Sequence, residues 1–104
     1  MRRDAVDLLS MIDTWMNSDV SDNPLYGGDL EQALGSITAR TLIMPSSTDL
    51  YFTLTDSEME TQLMKNAELR PIVSNWGHRA GNPVQSPDDE AVLRQAVRDL
   101  LASD

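Results

Sequence analysis

Cysteine is absent from these 104 residues, which excludes a disulfide scaffold, thiolate-bound zinc or iron–sulfur groups, and a cysteine nucleophile. Histidine occurs once, so a single chain cannot assemble a multi-histidine metal site, and no pattern points to a metal or cofactor. Basic residues are scarce. Lys and Arg number 8 against 17 Asp plus Glu, a net charge of -9, and an acidic surface repels both nucleic acid and anionic membranes. Long apolar runs are missing as well. None exceeds three residues, as in Leu42-Ile43-Met44, far short of a membrane span or a signal-peptide core. The expectation is a cytoplasmic protein with neither nucleic acid nor membrane as partner.

What is present suits a folded domain: 40% hydrophobic and 24% charged residues do not signal disorder. Residues 1–104 are expected to form a single domain, with a helical lead-in over 1–36 and the rest over 37–104. A chain of this size buries only about two-thirds of its unfolded surface, so any apolar face left in water is costly.

Hydrophobic periodicity predicts the elements. Ala5, Leu8, Leu9, Ile12, Trp15 and Met16 recur at steps of three and four, giving an amphipathic helix over 4–16 with Met11, Trp15 and Met16 on its buried face. Residues 17–28 are turn-rich, and a short helix follows over 29–34, closed by Gly35. Thr38 to Met44 is apolar without alternation, as in a parallel strand covered on both faces. A helix over 56–64 is expected next, capped by Thr55 with Glu58 as its capping-box partner. Leu69 to Val73 reads as a second strand, at a sheet edge because Pro71 lacks a donor. Residues 74–87 form a long loop containing Trp76, Gly77, His78, Gly81 and Pro83. Ser86, Pro87 and the acidic run 88–90 then open a final helix. Its apolar face is Val92, Leu93, Ala96, Val97, Leu100 and Leu101.

The predicted class is α/β: a helical lead-in and a βαβα unit with two parallel strands. Two strands rarely make a sheet that stands alone. An apolar first strand with a bare edge reads as a piece of a larger sheet.

The residues around these strands carry a resemblance. Ala39-Arg40-Thr41-Leu42-Ile43-Met44-Pro45 followed by Thr48-Asp49-Leu50-Tyr51-Phe52 resembles the acid-bearing strand and loop of α/β-hydrolase-fold enzymes. Leu69-Arg70-Pro71-Ile72 and then Ser74-Asn75-Trp76-Gly77-His78-Arg79-Ala80-Gly81 resembles the last strand and histidine loop. The wording is most similar to the homoserine O-acetyltransferase-like branch, and it maps to the C-terminal third of such an enzyme. The resemblance implies a truncated α/β-hydrolase fold with Asp49 as triad acid and His78 as triad base, 29 positions apart. Both would stand beyond the carboxyl ends of adjacent parallel strands. The nucleophile elbow G-x-S-x-G, which precedes the acid in such chains, is absent; Gly35-Ser36 and Pro45-Ser46-Ser47 lack its glycines.

Each residue also has a plainer role. Asp49 suits an Asx-type turn after a strand, and His78 a loop histidine. Trp76 reads as a loop anchor on the sheet rim, Gly77 and Gly81 as carriers of unusual backbone angles, and Ser46, Ser47 and Ser74 as turn or strand-end hydroxyls. Two functions follow. The favoured one for the isolated chain is a non-catalytic protein that self-associates through the edge of the 38–44 strand and keeps Asp49 and His78 as inherited residues. The alternative is the acid- and base-supplying half of a split ester hydrolase or O-acyltransferase, working with a nucleophile-bearing partner chain. Neither requires a cofactor.

Overall fold

A computed structural model of the chain describes residues 4–82, 84 and 86–102; Pro83 of the long loop lies outside them. The backbone divides into two compact units, Met1–Ala33 and Leu34–Asp104.

In the first unit, α1 spans Ala5–Met16 and is capped by Asp4, whose Oδ1 accepts from the Val6 N–H at 2.7 Å. Residues 17–29 are turns, pinned by Asp19 Oδ1 accepting from both the N–H and the hydroxyl of Ser21 and by Asn23 accepting from the Leu25 N–H. The expected buried stripe does not form: Met11, Trp15 and Met16 are all exposed, Met16 by 80%. Among the described residues of this unit only Ser21 and Ala33 are buried. The reason is supply. An amphipathic stripe needs an apolar surface opposite it, and the polar turns that follow offer none. Asp29 then caps α2, Leu30–Gly35, by accepting from the Gln32 N–H.

The second unit is the predicted βαβα arrangement. Strand β1, Thr41–Ile43, pairs in parallel with β2, Ala67–Leu69, in the register Thr41 with Ala67, Leu42 with Glu68 and Ile43 with Leu69. Helix α3, Leu54–Leu63, crosses between them, and α4, Pro87–Ala102, closes the unit. The predicted start of α4 holds: Ser86 Oγ accepts from the Asp89 N–H and Ser86 O from the Glu90 N–H.

Both strands differ from expectation. Strand β1 is shorter because Thr38 is already engaged, its carbonyl accepting from the Asn66 side chain, and pairing begins where the Thr41 N–H meets Asn66 O. Its residues are half-buried rather than covered on both faces. Strand β2 starts two residues early and ends before Pro71, yet hydrogen bonding continues past the proline. The Arg70 N–H reaches Ile43 O, the Ile72 N–H reaches Pro45 O, and the Ser47 N–H reaches Ile72 O, each at 2.8–2.9 Å. Pro71 falls between two donors of this series, so its missing N–H faces away from β1, as an edge strand requires.

Helix α3 also begins earlier than its capping-box reading. Thr53 is the cap, accepting from the Asp56 N–H while its hydroxyl donates to Asp56 Oδ2 at 2.6 Å. The reciprocal pair is Thr53 with Asp56 rather than Thr55 with Glu58.

The packed centre is small. Pro45, Ile72 and Ala96 are the buried apolar side chains of this unit among the described residues. Arg70 ties the end of β2 to α4 through Asp99 at 2.7 Å and also holds Glu68 at 2.8 Å. Beside these contacts Leu42, Met44, Leu93, Ala96, Val97 and Leu100 line an apolar groove of about 250 Å³ between β1 and α4.

Candidate active site

Asp49 and His78 meet. The Asp49 loop leaves the carboxyl end of β1, and the His78 loop leaves the segment after β2, so parallel pairing sets both on one rim of the sheet. His78 Nδ1 lies 3.0 Å from Asp49 Oδ2. The other carboxylate oxygen, Oδ1, accepts from the Tyr51 N–H at 2.8 Å and the Phe52 N–H at 3.3 Å. Asp49 is therefore both the Asx-turn residue and the histidine's partner, and its two oxygens divide the roles.

The environments of the pair differ. The Asp49 side chain is 8% exposed and that of His78 is 53% exposed. Burial pushes the Asp49 carboxyl up, but the Tyr51 N–H, His78 and the Phe52 N–H together outweigh it and hold the group below its ordinary value. A carboxylate kept ionised this way fixes the imidazole with its proton on Nδ1, leaving Nε2 as the nitrogen that can accept another.

A second set of bonds joins the two loops behind the pair. Thr48 Oγ1 donates to Ser74 O at 2.8 Å and accepts from the Gly77 N–H at 3.1 Å. Ser47 Oγ accepts from the Ser74 N–H at 3.2 Å. Ser74 Oγ accepts from the Trp76 N–H and donates to Asp89 Oδ2 at 2.7 Å. Asp89 is buried in the first turn of α4, so that helix anchors the histidine loop. Gly77 has φ +53°, and a Cβ there would stand 3.4 Å from Thr48 O. Gly81, at φ +77°, would meet the Ile72 side chain at 3.2 Å. Both glycines serve as expected, by left-handed backbone and close approach.

The sequence-level roles of the serines also hold, since Ser46, Ser47 and Ser74 spend their hydroxyls on turns and on the strand ends. Trp76 differs from its reading as a packed anchor: its side chain is half-exposed, and its backbone N–H does the anchoring. Sequence reasoning missed Asp89 and Thr48. An acidic residue in a first helical turn reads as a dipole partner, and only the fold reveals that Ser74 lies against it. Among the described residues, Asp49 is the hydrogen-bond partner of His78. The arrangement can orient the imidazole with Nε2 as its proton acceptor.

No family model matches the chain. The ethyl acetate hydrolase of Pseudomonas veronii is 44% identical over 75 residues, which is 72% of this chain and 21% of the relative. The structure of the acetyl esterase MekB aligns with a TM-score of 0.85 and 38% identity, covering 97% of this chain and 28% of that one. An acetylester hydrolase from Corynebacterium glutamicum aligns with a TM-score of 0.84 and 33% identity, again over 97% and 28% of the two chains. The architecture is thus a truncated α/β fold, similar along nearly its whole length to the C-terminal part of acetyl esterases while spanning only 21–28% of the relatives cited.

Proposed function

We propose that this chain supplies the acid–base pair of an ester-hydrolysing centre whose nucleophile lies on a polypeptide segment outside these 104 residues. The observation that carries the reading is the 3.0 Å contact between His78 Nδ1 and Asp49 Oδ2 on one rim of the parallel sheet. In the assembled centre, Nε2 of His78 takes the proton of a nucleophilic hydroxyl as its oxygen attacks the ester carbonyl. Asp49 stabilises the imidazolium and does not itself become protonated. The imidazolium then returns the proton to the departing alkoxide, leaving an acyl-enzyme. His78 next draws a proton from water, whose oxygen attacks the acyl carbon; the bond to the nucleophile's oxygen then breaks, His78 returns the proton to that oxygen, and the acid departs.

The relatives are named for ethyl acetate and acetyl ester hydrolysis, which favours short-chain acyl esters as substrates and water as acceptor. Acetyl transfer to homoserine, suggested by the words flanking Asp49 and His78, is the less supported acceptor chemistry.

By itself the chain is non-catalytic and closes the edge of β1 with a second copy. The bonds from β1 and its extension to the β2 side use Thr41, Ile43, Pro45 and Ser47 in turn, so the backbone groups of Leu42 and Met44 point to the opposite edge. A bare edge beside an apolar groove favours association. The test of the catalytic half is hydrolysis of p-nitrophenyl acetate by the purified chain. Turnover no greater than free imidazole supplies is expected. Turnover well above that level, abolished by His78→Ala, would overturn the assignment of the nucleophile to another segment.

A further inference from the structure

We infer that the side chains of Tyr51 and Phe52 are positioning residues that hold the His78 imidazole in register with Asp49; their catalytic meaning rests on the acid–base reading above. The Tyr51 ring centroid lies 5.3 Å from that of the imidazole at an interplanar angle of 55°, and the Phe52 centroid lies 5.4 Å away at 38°. Both distances fall within the range of favourable tilted aromatic pairs. The need for such contacts is plain from the exposure of His78. Half of its side chain meets water, and its hydrogen-bond partner among the described residues is one carboxylate oxygen. One bond leaves the ring free to swing about it, and water competes for both nitrogens.

The same two residues also hold the carboxylate, because their backbone N–H groups bind Asp49 Oδ1. The segment 49–52 therefore orients both members of the pair, the acid through its backbone and the base through its rings. Substitution separates the two roles, since changing a ring leaves the N–H donors in place.

The lone histidine makes the imidazole directly observable in the whole chain. Nitrogen NMR reads the tautomer, and proton exchange with solvent reads how firmly Nδ1–H is held. In the native chain the two nitrogens should be well separated, with the proton on Nδ1. Phe52→Leu and Tyr51→Leu should each draw the two signals toward one another and speed Nδ1–H exchange by roughly three- to tenfold, the factor an aromatic contact supplies. Phe52→Tyr, which keeps a ring, should retain native values. Unchanged signals and exchange in both leucine variants would overturn the inference. So would loss of the dispersed amide spectrum in both, which would assign the rings to the fold rather than to the imidazole. No substrate is involved, so failure here is distinct from failure of the ester-hydrolysis reading.

Discussion

Asp49 holds three donors with two oxygens, and its titration records that arrangement. Its carboxyl is depressed in the fold because the Tyr51, His78 and Phe52 bonds exceed the opposing effect of burial. A depressed carboxyl stabilises the native state above its unfolded value of about 3.9, and that contribution is lost as pH falls through the lower folded value. The thermal midpoint of Asp49→Asn should therefore lie below that of the native chain near neutrality, and the two should converge as pH drops below about 4. Circular dichroism across pH measures this; parallel curves would show that Asp49 is not preferentially ionised by the fold. Behind it, Ser74→Ala removes a donor from a buried carboxylate, leaving Asp89 short of a partner. The expected cost is about 1–3 kcal/mol in urea unfolding. Asp49 and His78 were legible in the sequence because distinctive neighbours flank each of them. Asp89 was not, since its partner is 15 residues away and nothing local distinguishes it from Asp88.

At the scale of elements, order was easier to read than limits. The succession of helix, short helix, strand, helix, strand and helix follows from periodicity and turn chemistry, and the start of α4 follows from its Ser86 cap. The strands were less readable because a parallel ladder sets its own register. Asn66 and Thr38 decide where pairing starts, and neither is a strand-forming signal by itself. The start of α3 was misplaced because Thr53 and Thr55 both offer a capping hydroxyl, and the choice depends on Asp56 answering Thr53. The histidine loop depends on its backbone as much as on its side chains. Gly77→Ala puts a Cβ on a left-handed residue close to Thr48 O, which should cost about 1–2 kcal/mol. It should also disturb the His78 imidazole resonances while leaving those of α4 in place. An unperturbed imidazole in a destabilised chain would mean that the loop is not what aims the base.

For the whole molecule, the deciding fact is how little is covered. The apolar face of α1 is exposed, a groove lies open between β1 and α4, and among the described residues β1 is paired on one side only, in a chain that superimposes on about a quarter of an acetyl esterase. Among the described residues no helix is long and apolar enough to cross a membrane. The buried face expected for α1 was misjudged for the same reason: periodicity identifies an apolar stripe but not whether anything lies opposite it. Light scattering at micromolar concentration should return the mass of a dimer, whereas a well-folded monomer would contradict closure of the β1 edge by a second copy.

The central claim is that Asp49 and His78 form a usable acid–base pair awaiting a nucleophile. Its most direct measurement is complementation: the ethyl acetate hydrolase of Pseudomonas veronii, shortened by the segment this chain matches, is mixed with the chain and assayed for acetyl ester hydrolysis. The account predicts that hydrolysis appears on mixing and falls roughly a thousandfold or more with His78→Ala or Asp49→Ala. It is contradicted if the shortened enzyme regains activity with its own missing segment but not with this one.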